Sequence, residues 1–295
     1  MMLGTGRIIK NYNGYYYVET EDKELHTCKV KGKLKQERFT LATGDFVEYE
    51  FQGQEGMITK VLPRKNLLQR PLVANVDLAV IVFACASPDL NFLMLDKLLA
   101  LVENSGLEAV LVFNKRDLVQ PEFLNKLRDI YEKIGYSIYF TVAATKEGIE
   151  PLKKKLENKI SVFAGPSGAG KSTLLNALDS RLNLVTGSVS AKIGRGKHTT
   201  RFAQLLDFEG GYLVDTPGFS NINLAELPIA NLSNCFREFR DYSHECKFNG
   251  CSHSHEPLCA VKAAVAEGKI DPQRYEAYKK MLEENSSSGE RKPKK

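Results

Sequence analysis

The stretch GPSGAGKST, residues 165–173, has the residue types and spacing of a loop that binds nucleotide phosphates. Its glycines permit positive φ and a close backbone approach, so that successive N–H groups can point at phosphate oxygens. Lys171 is expected to reach the β- and γ-phosphates during catalysis, and the Ser172 hydroxyl is expected to bind Mg²⁺. The alternative is a glycine-rich turn without a ligand. The predicted nucleotide contacts of this loop are Gly165, Pro166, Ser167, Gly168, Ala169, Gly170, Lys171, Ser172 and Thr173.

A second stretch, FNKRDLV at 113–119, contains the pattern N-K-x-D, which can distinguish guanine from adenine. The Asp117 carboxylate can accept hydrogen bonds from the N1–H and the exocyclic amine of guanine, whereas adenine offers neither donor in that place. We expect Asn114 to face the other edge of the base and Lys115 to lie along the ring. The pattern follows EAVLVF, a buried strand in type, and α/β proteins place ligands where such strands end. A chance match is the alternative to GTP binding.

A further stretch, TVAATKEG at 141–148, lies where a second guanine-binding loop belongs. The familiar Ser-Ala pair of such loops is replaced here by Val142 and Ala143. Because the loop usually acts through a backbone N–H, the replacement is compatible with base binding. It does weaken the sequence evidence for a guanine-binding loop. Val142 and Ala143 are therefore included among the predicted nucleotide contacts.

Two stretches near the middle of the chain have the character of nucleotide-sensing switches. The pattern D-x-x-G begins at Asp215, expected to hold Mg²⁺ through water, and ends at Gly218, whose N–H is expected to contact the γ-phosphate. Ahead of it lies GRGKHTTR at 194–201, in the place of the first switch. Either Thr199 or Thr200 is expected to bind Mg²⁺, and we favour Thr200. A solvated basic loop is the alternative interpretation of this stretch.

The order of these motifs is unusual. The guanine-reading pattern comes first, followed by the second base loop, the phosphate loop and the two switches, whereas an ordinary GTPase begins with the phosphate loop. The order predicts a circularly permuted GTPase, an arrangement tolerated when the old termini lie close together. The second switch then leads toward a segment rich in cysteine and histidine. We hypothesise that nucleotide state repositions that segment.

The cysteine-rich segment contains a set of metal ligands. The pattern Cys246-x4-Cys251-x-His253-x5-Cys259 supplies three thiolates and one imidazole, a full set for tetrahedral Zn²⁺, and the closed set favours a structural ion over a catalytic one. Unligated cysteines are the alternative, and three nearby residues could substitute as ligands: His244, His255 and Cys235. The isolated Cys28 and Cys85 are interpreted as structural.

The elements that must position these groups form distinct regions. Residues 1–67 contain short strands separated by Gly and Asn-Gly turns, which predict a small barrel of the OB or SH3-like kind. Residues 68–222 alternate strands with helices and predict a mostly parallel α/β sheet, the GTPase domain. Residues 223–285 predict a mostly helical zinc-binding domain, and 286–295 a disordered basic tail. The basic stretch 29–38 is either a solvated loop or part of a nucleic-acid-binding face.

The composition of the 295 residues is that of a globular protein, with 43% hydrophobic and 26% charged residues. No apolar run approaches the roughly 20 residues that span a bilayer, and the first residues lack an apolar signal core. We therefore expect a cytoplasmic protein without a membrane partner, and a monomer by default. The net charge of +5 permits an RNA partner without requiring one.

Taken together, NKRD, GPSGAGKST, GRGKHTT, DTPGF and the Cys/His cluster resemble one family over nearly the whole chain: the ribosome small subunit-dependent GTPase A family, RsgA, also called YjeQ or YloQ. The resemblance implies an N-terminal OB barrel, a permuted GTPase core and a C-terminal zinc domain. It further implies binding to the small (30S) ribosomal subunit and its 16S rRNA, not to DNA. GTP hydrolysis stimulated by that subunit would act in late maturation and drive release. Mg²⁺ and one structural Zn²⁺ are the implied metals.

Phe219 stands where many GTPases carry a glutamine that orients the attacking water. Slow intrinsic turnover is therefore expected, and His198, in the GKHTT stretch, is a candidate to position that water. An exposed His198 that contacts RNA or nothing is equally compatible with the sequence. Two other functions stay open: a GTP-gated RNA-binding module with incidental hydrolysis, and a metabolic P-loop kinase, against which Asp117 and the missing acceptor site argue.

Overall fold

A computed structural model of the chain describes residues 3–30, 40–52, 55–69, 71–184, 203–215 and 229–289. The chain divides into two compact units. The first consists of Met1–Ala79, Leu152–Phe163 and Val189–Phe219, and the second of Val80–Pro151, Ala164–Ser188 and Ser220–Lys295. Among the described residues, no helix is both long and apolar enough to cross a membrane.

The first unit begins with a closed five-stranded barrel. Its strands are β1 (Leu3–Tyr12), β2 (Tyr15–Glu19), β3 (Leu25–Val30), β4 (Phe46–Gln52) and β5 (Glu55–Val61). They pair in the order β1-β2-β3-β5-β4, and β4 pairs again with β1, which closes the barrel. Alternate side chains point inward, as the period of a strand requires, and the barrel core contains Ile8, Val18, Cys28, Leu41, Val47, Tyr49 and Ile58. The predicted OB-type barrel is confirmed.

The first unit also contains strands from much later in the chain. A short hairpin of β6 (Leu67–Gln69) and β7 (Leu72–Ala74) follows the barrel. Three further strands, β11 (Ile160–Ala164), β13 (Gly211–Asp215) and β12 (Gln204–Phe208), pair in that order. β13 runs parallel to β11 and antiparallel to β12, and β12 pairs with barrel strand β1. The barrel is thus continuous with the strands that flank the switches.

The second unit contains the remaining parallel strands. They are β8 (Leu78–Ala84), β9 (Glu108–Asn114) and β10 (Ser137–Thr141), in the order β10-β9-β8, and the division between units passes through β8. Every residue of β8 is buried, as expected for a strand covered on both faces. The helices of this unit are α1 (Phe92–Asn104), α2 (Pro121–Tyr131) and α4 (Lys171–Leu178), and the division between units also passes through α3 (Ile149–Leu156), whose residues from Leu152 belong to the first unit. The predicted α/β GTPase architecture is confirmed.

The C-terminal module, residues 229–289, is mostly helical, as predicted. It contains α5 (Arg237–Ser243), α6 (Ala260–Ala266) and α7 (Pro272–Gly289). Its core is formed by Leu232, Phe236, Phe239, Val261, Tyr278 and Met281. Helix α7 extends four residues into the segment 286–295 that the sequence assigns to a disordered tail, and residues 290–295 lie outside the described part of the chain.

A buried ion cluster fixes this module to helix α1. The guanidinium of Arg274, on α7, donates to the Asp96 carboxylate at 2.7 Å and to both carboxylate oxygens of Glu238 at 2.7 and 3.1 Å. Tyr131 donates to the same Asp96 oxygen at 3.0 Å. Burial raises the pKa of Asp96 to about 6, against the opposing effect of Arg274. A nucleotide-dependent movement of the module, as hypothesised from the sequence, must therefore carry α1 with it.

Candidate nucleotide site and metal centre

The side chain of Asn114 lies at the centre of the candidate nucleotide site. It ends β9 and is buried, and its carbonyl oxygen accepts hydrogen bonds from the Thr141 hydroxyl at 3.1 Å and from the Ala143 N–H at 3.0 Å. Its amide nitrogen donates to the Ala169 carbonyl at 3.1 Å. One side chain thus joins the N-K-x-D pattern, the second base loop and the phosphate loop. Because a buried amide needs partners, this joining occupies most of the hydrogen-bonding capacity that was expected to face the base.

The rest of the N-K-x-D pattern turns outward after Asn114. Lys115 adopts a left-handed conformation with φ 58°, and a short 3-10 turn, Arg116–Leu118, follows it. Asp117 is exposed, so its carboxylate is open to a ligand. The Lys115 ammonium donates to the carbonyl of Ser87, in the loop between β8 and α1.

The phosphate loop joins β11 to α4 and needs glycine at two close approaches. A Cβ on Gly165, where φ is 141°, would lie 2.0 Å from the carbonyl oxygen of Val82. A Cβ on Gly170, where φ is 87°, would lie 2.3 Å from the Asn114 amide nitrogen. Any other residue at either position would displace the loop or Asn114. The predicted contacts Pro166, Ser167, Gly168, Ala169, Ser172 and Thr173 lie along the same loop and the first turn of α4.

The ammonium of Lys171 lies over the phosphate loop. It donates to the carbonyl oxygens of Gly165 at 2.8 Å and of Pro166 at 2.7 Å. Burial lowers the pKa of Lys171 from its ordinary value. An anionic ligand at the loop would favour the charged lysine and oppose that effect, which is the electrostatic role expected of this residue.

The second base loop is a tight turn from Val142 to Glu147. The Val142 N–H donates to the Glu147 carbonyl at 2.9 Å, and the Glu147 N–H donates back to Val142 at 3.2 Å. The Glu147 carboxylate also forms an ion pair with Arg116, which ties this loop to the N-K-x-D turn. Val142 and Ala143 are buried, and Ala143 has its N–H engaged by Asn114, so Ala144 is the first exposed residue of the loop.

Two parts of the site were missed by the sequence analysis. The Thr141 hydroxyl donates to the Asn114 carbonyl oxygen, and Thr141 was not among the predicted contacts although it begins the predicted second base loop, TVAATKEG. The loop after β8 lies against both the N-K-x-D turn and the phosphate loop. The Ser87 carbonyl accepts a hydrogen bond from Lys115, and Pro88 lies so close to Gly168 that a Cβ on that glycine would be 3.1 Å from the proline ring. Nothing in the spacing of the nucleotide motifs points to this loop.

Several predicted site residues fall outside the described part of the chain. These are His198, Thr199, Thr200 and Gly218, together with Phe219. The backbone of Asp215 is described, and it ends β13 opposite Gln204 on β12. The switch assignments therefore stay predictions.

Three thiols and an imidazole converge in the C-terminal module. The ligand atoms of Cys246, Cys251, His253 and Cys259 all lie within 4.8 Å of one another. His253 Nδ1 is 3.5 Å from the Cys246 sulfur and 3.4 Å from the Cys259 sulfur, and these two sulfurs are 3.9 Å apart. A zinc tetrahedron with bonds of about 2.0–2.3 Å has edges of about 3.5–3.8 Å. The residues present thus fit one zinc ion with a closed set of four ligands.

The surroundings of the cluster hold its ligands in place. His253 is buried with φ 55°, its carbonyl accepts from the Tyr275 hydroxyl at 2.8 Å, and its ring meets Phe239 edge-on. The Glu256 carboxylate accepts from the backbone N–H groups of Ser252 at 2.7 Å and Ser254 at 3.1 Å, which closes the loop around His253.

The substitute ligands are absent from the cluster in the described part of the chain. Cys235 is buried and its sulfur donates to the Asn231 carbonyl, His244 is exposed, and the His255 ring contacts the Ser254 hydroxyl. Burial raises the pKa of the remaining thiols, to about 11 for Cys28 and about 12 for Cys85. Both are buried, in accord with a structural role.

Comparison with known sequences gives close relatives over most of the chain. The model of the RsgA GTPase family matches residues 61–225, and that of the RsgA N-terminal domain matches residues 5–58. The Small ribosomal subunit biogenesis GTPase RsgA of Clostridium perfringens (strain SM101 / Type A) is 47% identical over 279 residues, which cover 95% of this chain and 97% of the relative. The protein of that name from Caldanaerobacter subterraneus subsp. tengcongensis is 46% identical over 281 residues, 95% of each chain.

Solved structures agree in fold over the whole length. The crystal structure of YjeQ from Thermotoga maritima has a TM-score of 0.84 and 40% identity, covering 96% of this chain and 99% of that one. YloQ, described as a circularly permuted GTPase, has a TM-score of 0.83 and 32% identity, covering 100% and 98%. The predicted permutation and GTP hydrolysis by a P-loop enzyme are thereby confirmed. The chain belongs to the RsgA GTPase family.

Proposed function

We propose that this ribosome-biogenesis GTPase binds the small (30S) ribosomal subunit in the cytoplasm, late in maturation, through contacts with 16S rRNA. Hydrolysis of GTP to GDP and phosphate then drives its release. Relatives named for small ribosomal subunit biogenesis, two of them 47% and 46% identical over 95% of the chain, support the assembly role. The observation that carries the RNA contact is the outer face of the barrel.

That outer face combines lysines with tyrosines on adjacent strands. The register pairs Lys10 with Tyr17 and Tyr12 with Tyr15, so these four side chains share one face of the β1–β2 ladder. The Lys10 ammonium lies 5.9 Å from the ring centroid of Tyr12 and 5.8 Å from that of Tyr17, and the Lys29 ammonium lies 5.0 Å from that of Tyr15. Tyr12 is exposed, and Tyr15 and Tyr17 are half-buried. Cations attract phosphates and accessible aromatic rings stack on bases, which is the combination that binds unpaired RNA.

In the proposed mechanism, Asp117 accepts from the N1–H and amine of guanine while Lys115 lies along the ring. Backbone N–H groups of the phosphate loop and Lys171 bind the phosphates. Mg²⁺, when bound, offsets charge on the β- and γ-phosphates. The residues that would hold Mg²⁺ are Ser172 through its hydroxyl, Thr200 (or Thr199), and Asp215 through water. The N–H of Gly218 is proposed to contact the γ-phosphate. His198 is proposed to orient the attacking water.

The test is GTP turnover by the full chain, alone and with purified small ribosomal subunits, with ATP as the control nucleotide. We expect slow hydrolysis of GTP alone, since Phe219 cannot orient water, and an increase of about 10-fold or more with subunits. A GTP rate indifferent to subunits would contradict the ribosomal proposal while leaving the GTPase in place.

Two variants in the same assay test individual roles. Asp117→Asn is expected to shift preference from guanine toward xanthine nucleotides, because xanthine has a carbonyl where guanine has its amine. Retained selectivity for GTP would refute the base-reading role. His198→Ala is expected to lower the stimulated rate; if stimulation is unchanged, the catalytic role of His198 is removed.

A further inference from the structure

The β12–β13 hairpin connects the two candidate switches. Thr199 and Thr200 precede β12 in the chain, and Asp215 is the last residue of β13. Gln204 pairs with Asp215 across the hairpin, so both switches leave from the same end of it. Whatever holds this hairpin therefore determines where both switches begin.

The barrel contacts the hairpin at the end that contains Gln204 and Asp215. Lys10 on β1 pairs antiparallel with Gln204 on β12. The hydroxyl of Thr43, which is buried, donates to the carbonyl of Ala203 at 2.9 Å. These contacts involve the first described residues after the stretch of the first switch.

Lys23 of the barrel also forms hydrogen bonds with the opposite end of the β12–β13 hairpin. The ammonium of Lys23, in the turn between β2 and β3, donates to Asp207 at 2.7 Å, to the Tyr212 hydroxyl at 3.1 Å and to Glu19 at 3.0 Å. Asp207 is on β12 and Tyr212 is on β13, so this ammonium bridges both strands of the hairpin to the barrel. The Tyr212 hydroxyl also donates to Glu19, and the Arg7 guanidinium lies 5.5 Å from the Tyr212 ring centroid.

The position of Tyr212 sets the position of Asp215. β13 lies parallel to β11, with Ile160 opposite Tyr212 and Val162 opposite Val214. Asp215 follows three residues after Tyr212, about 10 Å along the strand at ~3.3 Å per residue. A shift of Tyr212 along β11 would move Asp215 by the same amount.

We infer that Lys23 is a positioning residue for GTP hydrolysis. By bridging Asp207 and Tyr212 to the barrel, it sets the place of the inter-switch hairpin, and hence of Asp215 and of the start of both switches. Its contribution to stability is expected to be modest, because the Lys23 and Asp207 side chains are 53% and 55% exposed, although that of Glu19 is only 13% exposed.

The experiment compares Lys23→Ala, Lys23→Arg and the matched control Lys60→Ala in the full chain, without ribosomes. Lys60 is also a barrel lysine paired with a carboxylate, that of Glu48 at 3.0 Å, but it does not contact the hairpin. Lys23→Ala should lower kcat for GTP by about 10-fold, the order of loss that a small misplacement causes, with little change in KM or Tm. Lys23→Arg should restore most of the rate, and Lys60→Ala should match the parent.

A double-mutant cycle with Asp207→Ala provides the second measurement. Since Lys23 and Asp207 contact each other directly, the effects of Lys23→Ala and Asp207→Ala on kcat should be non-additive. An unchanged kcat in Lys23→Ala, a loss confined to KM or Tm, or additive effects in the cycle would overturn the inference. Because no RNA is present, loss of an RNA contact by Lys23 cannot produce the expected result.

Discussion

At the residue scale, the nucleotide site depends on two buried polar side chains, those of Asn114 and Thr141. Asn114 was found by its motif, yet its partners were not, because they come from residues distant in the chain. Thr141 follows it by 27 positions and Ala169 by 55. Motif spacing identifies which residue types are needed, whereas the partners of a buried amide depend on how three loops fold together. The four metal ligands were easier to predict than the partners of Asn114, since all four lie within one short segment of the sequence.

Thr141→Val should weaken GDP binding by about 5- to 10-fold, because the nearly isosteric change removes one hydrogen bond to Asn114 and loosens the joined loops. The measurement is the GDP dissociation constant by titration calorimetry. Thr145→Val is the matched control, since within the described part of the chain the Thr145 hydroxyl donates only to the Val142 carbonyl of its own loop, at 3.3 Å. Equal losses in both variants would contradict a special role for Thr141.

At the element scale, the strand–helix alternation and the barrel could be predicted from periodicity, because each element shows its own pattern. The contacts between elements could not be predicted from periodicity. The link from α1 to α7 depends on Asp96 and Arg274, charged residues that a helix pattern would place toward solvent. The pairing of β1 with β12 joins strands nearly two hundred residues apart, for which no local signal exists.

Asp96→Ala should reduce the free energy of unfolding by about 3 kcal/mol, because it leaves the buried Arg274 with only Glu238 as its acidic partner. Lys97→Ala is the matched control. It also removes a link from α1 to α7, the pair with Glu284, but that pair is more exposed and should contribute less than about 1 kcal/mol. Urea denaturation followed by circular dichroism measures the free energy of unfolding of both variants. Similar losses in the two variants would contradict the larger stabilisation assigned to the buried ion cluster.

At the scale of the whole molecule, the metal centre belongs to the same compact unit as the N-K-x-D turn, the second base loop and the phosphate loop, and α1 contacts the C-terminal module within that unit. The sequence predicted these motifs and the metal ligands separately. It could not show that the helix following the Ser87 loop also carries Asp96, the anchor of the C-terminal module.

Zinc removal provides a test at this scale. Treatment with a chelator at neutral pH should make Cys246, Cys251 and Cys259 reactive toward iodoacetamide, because thiolates bound to metal are protected. Cys28 and Cys85 should stay unlabelled, since burial covers them and raises their pKa far above neutral. Mass spectrometry of the labelled peptides gives the count. Equal labelling of the three thiols before and after chelation would show that no metal protects them.

The pairing of β1 with β12 has a consequence for any shortened form of the protein. In the described sheet, β12 lies between β13 and β1: β13 pairs with its whole length, and β1 covers its other edge at one register position, Lys10 opposite Gln204. A chain that started at residue 68 would leave β12 with an open hydrogen-bonding edge, and such edges recruit strands from other copies. The GTPase core without its barrel is therefore expected to self-associate more readily than the full chain.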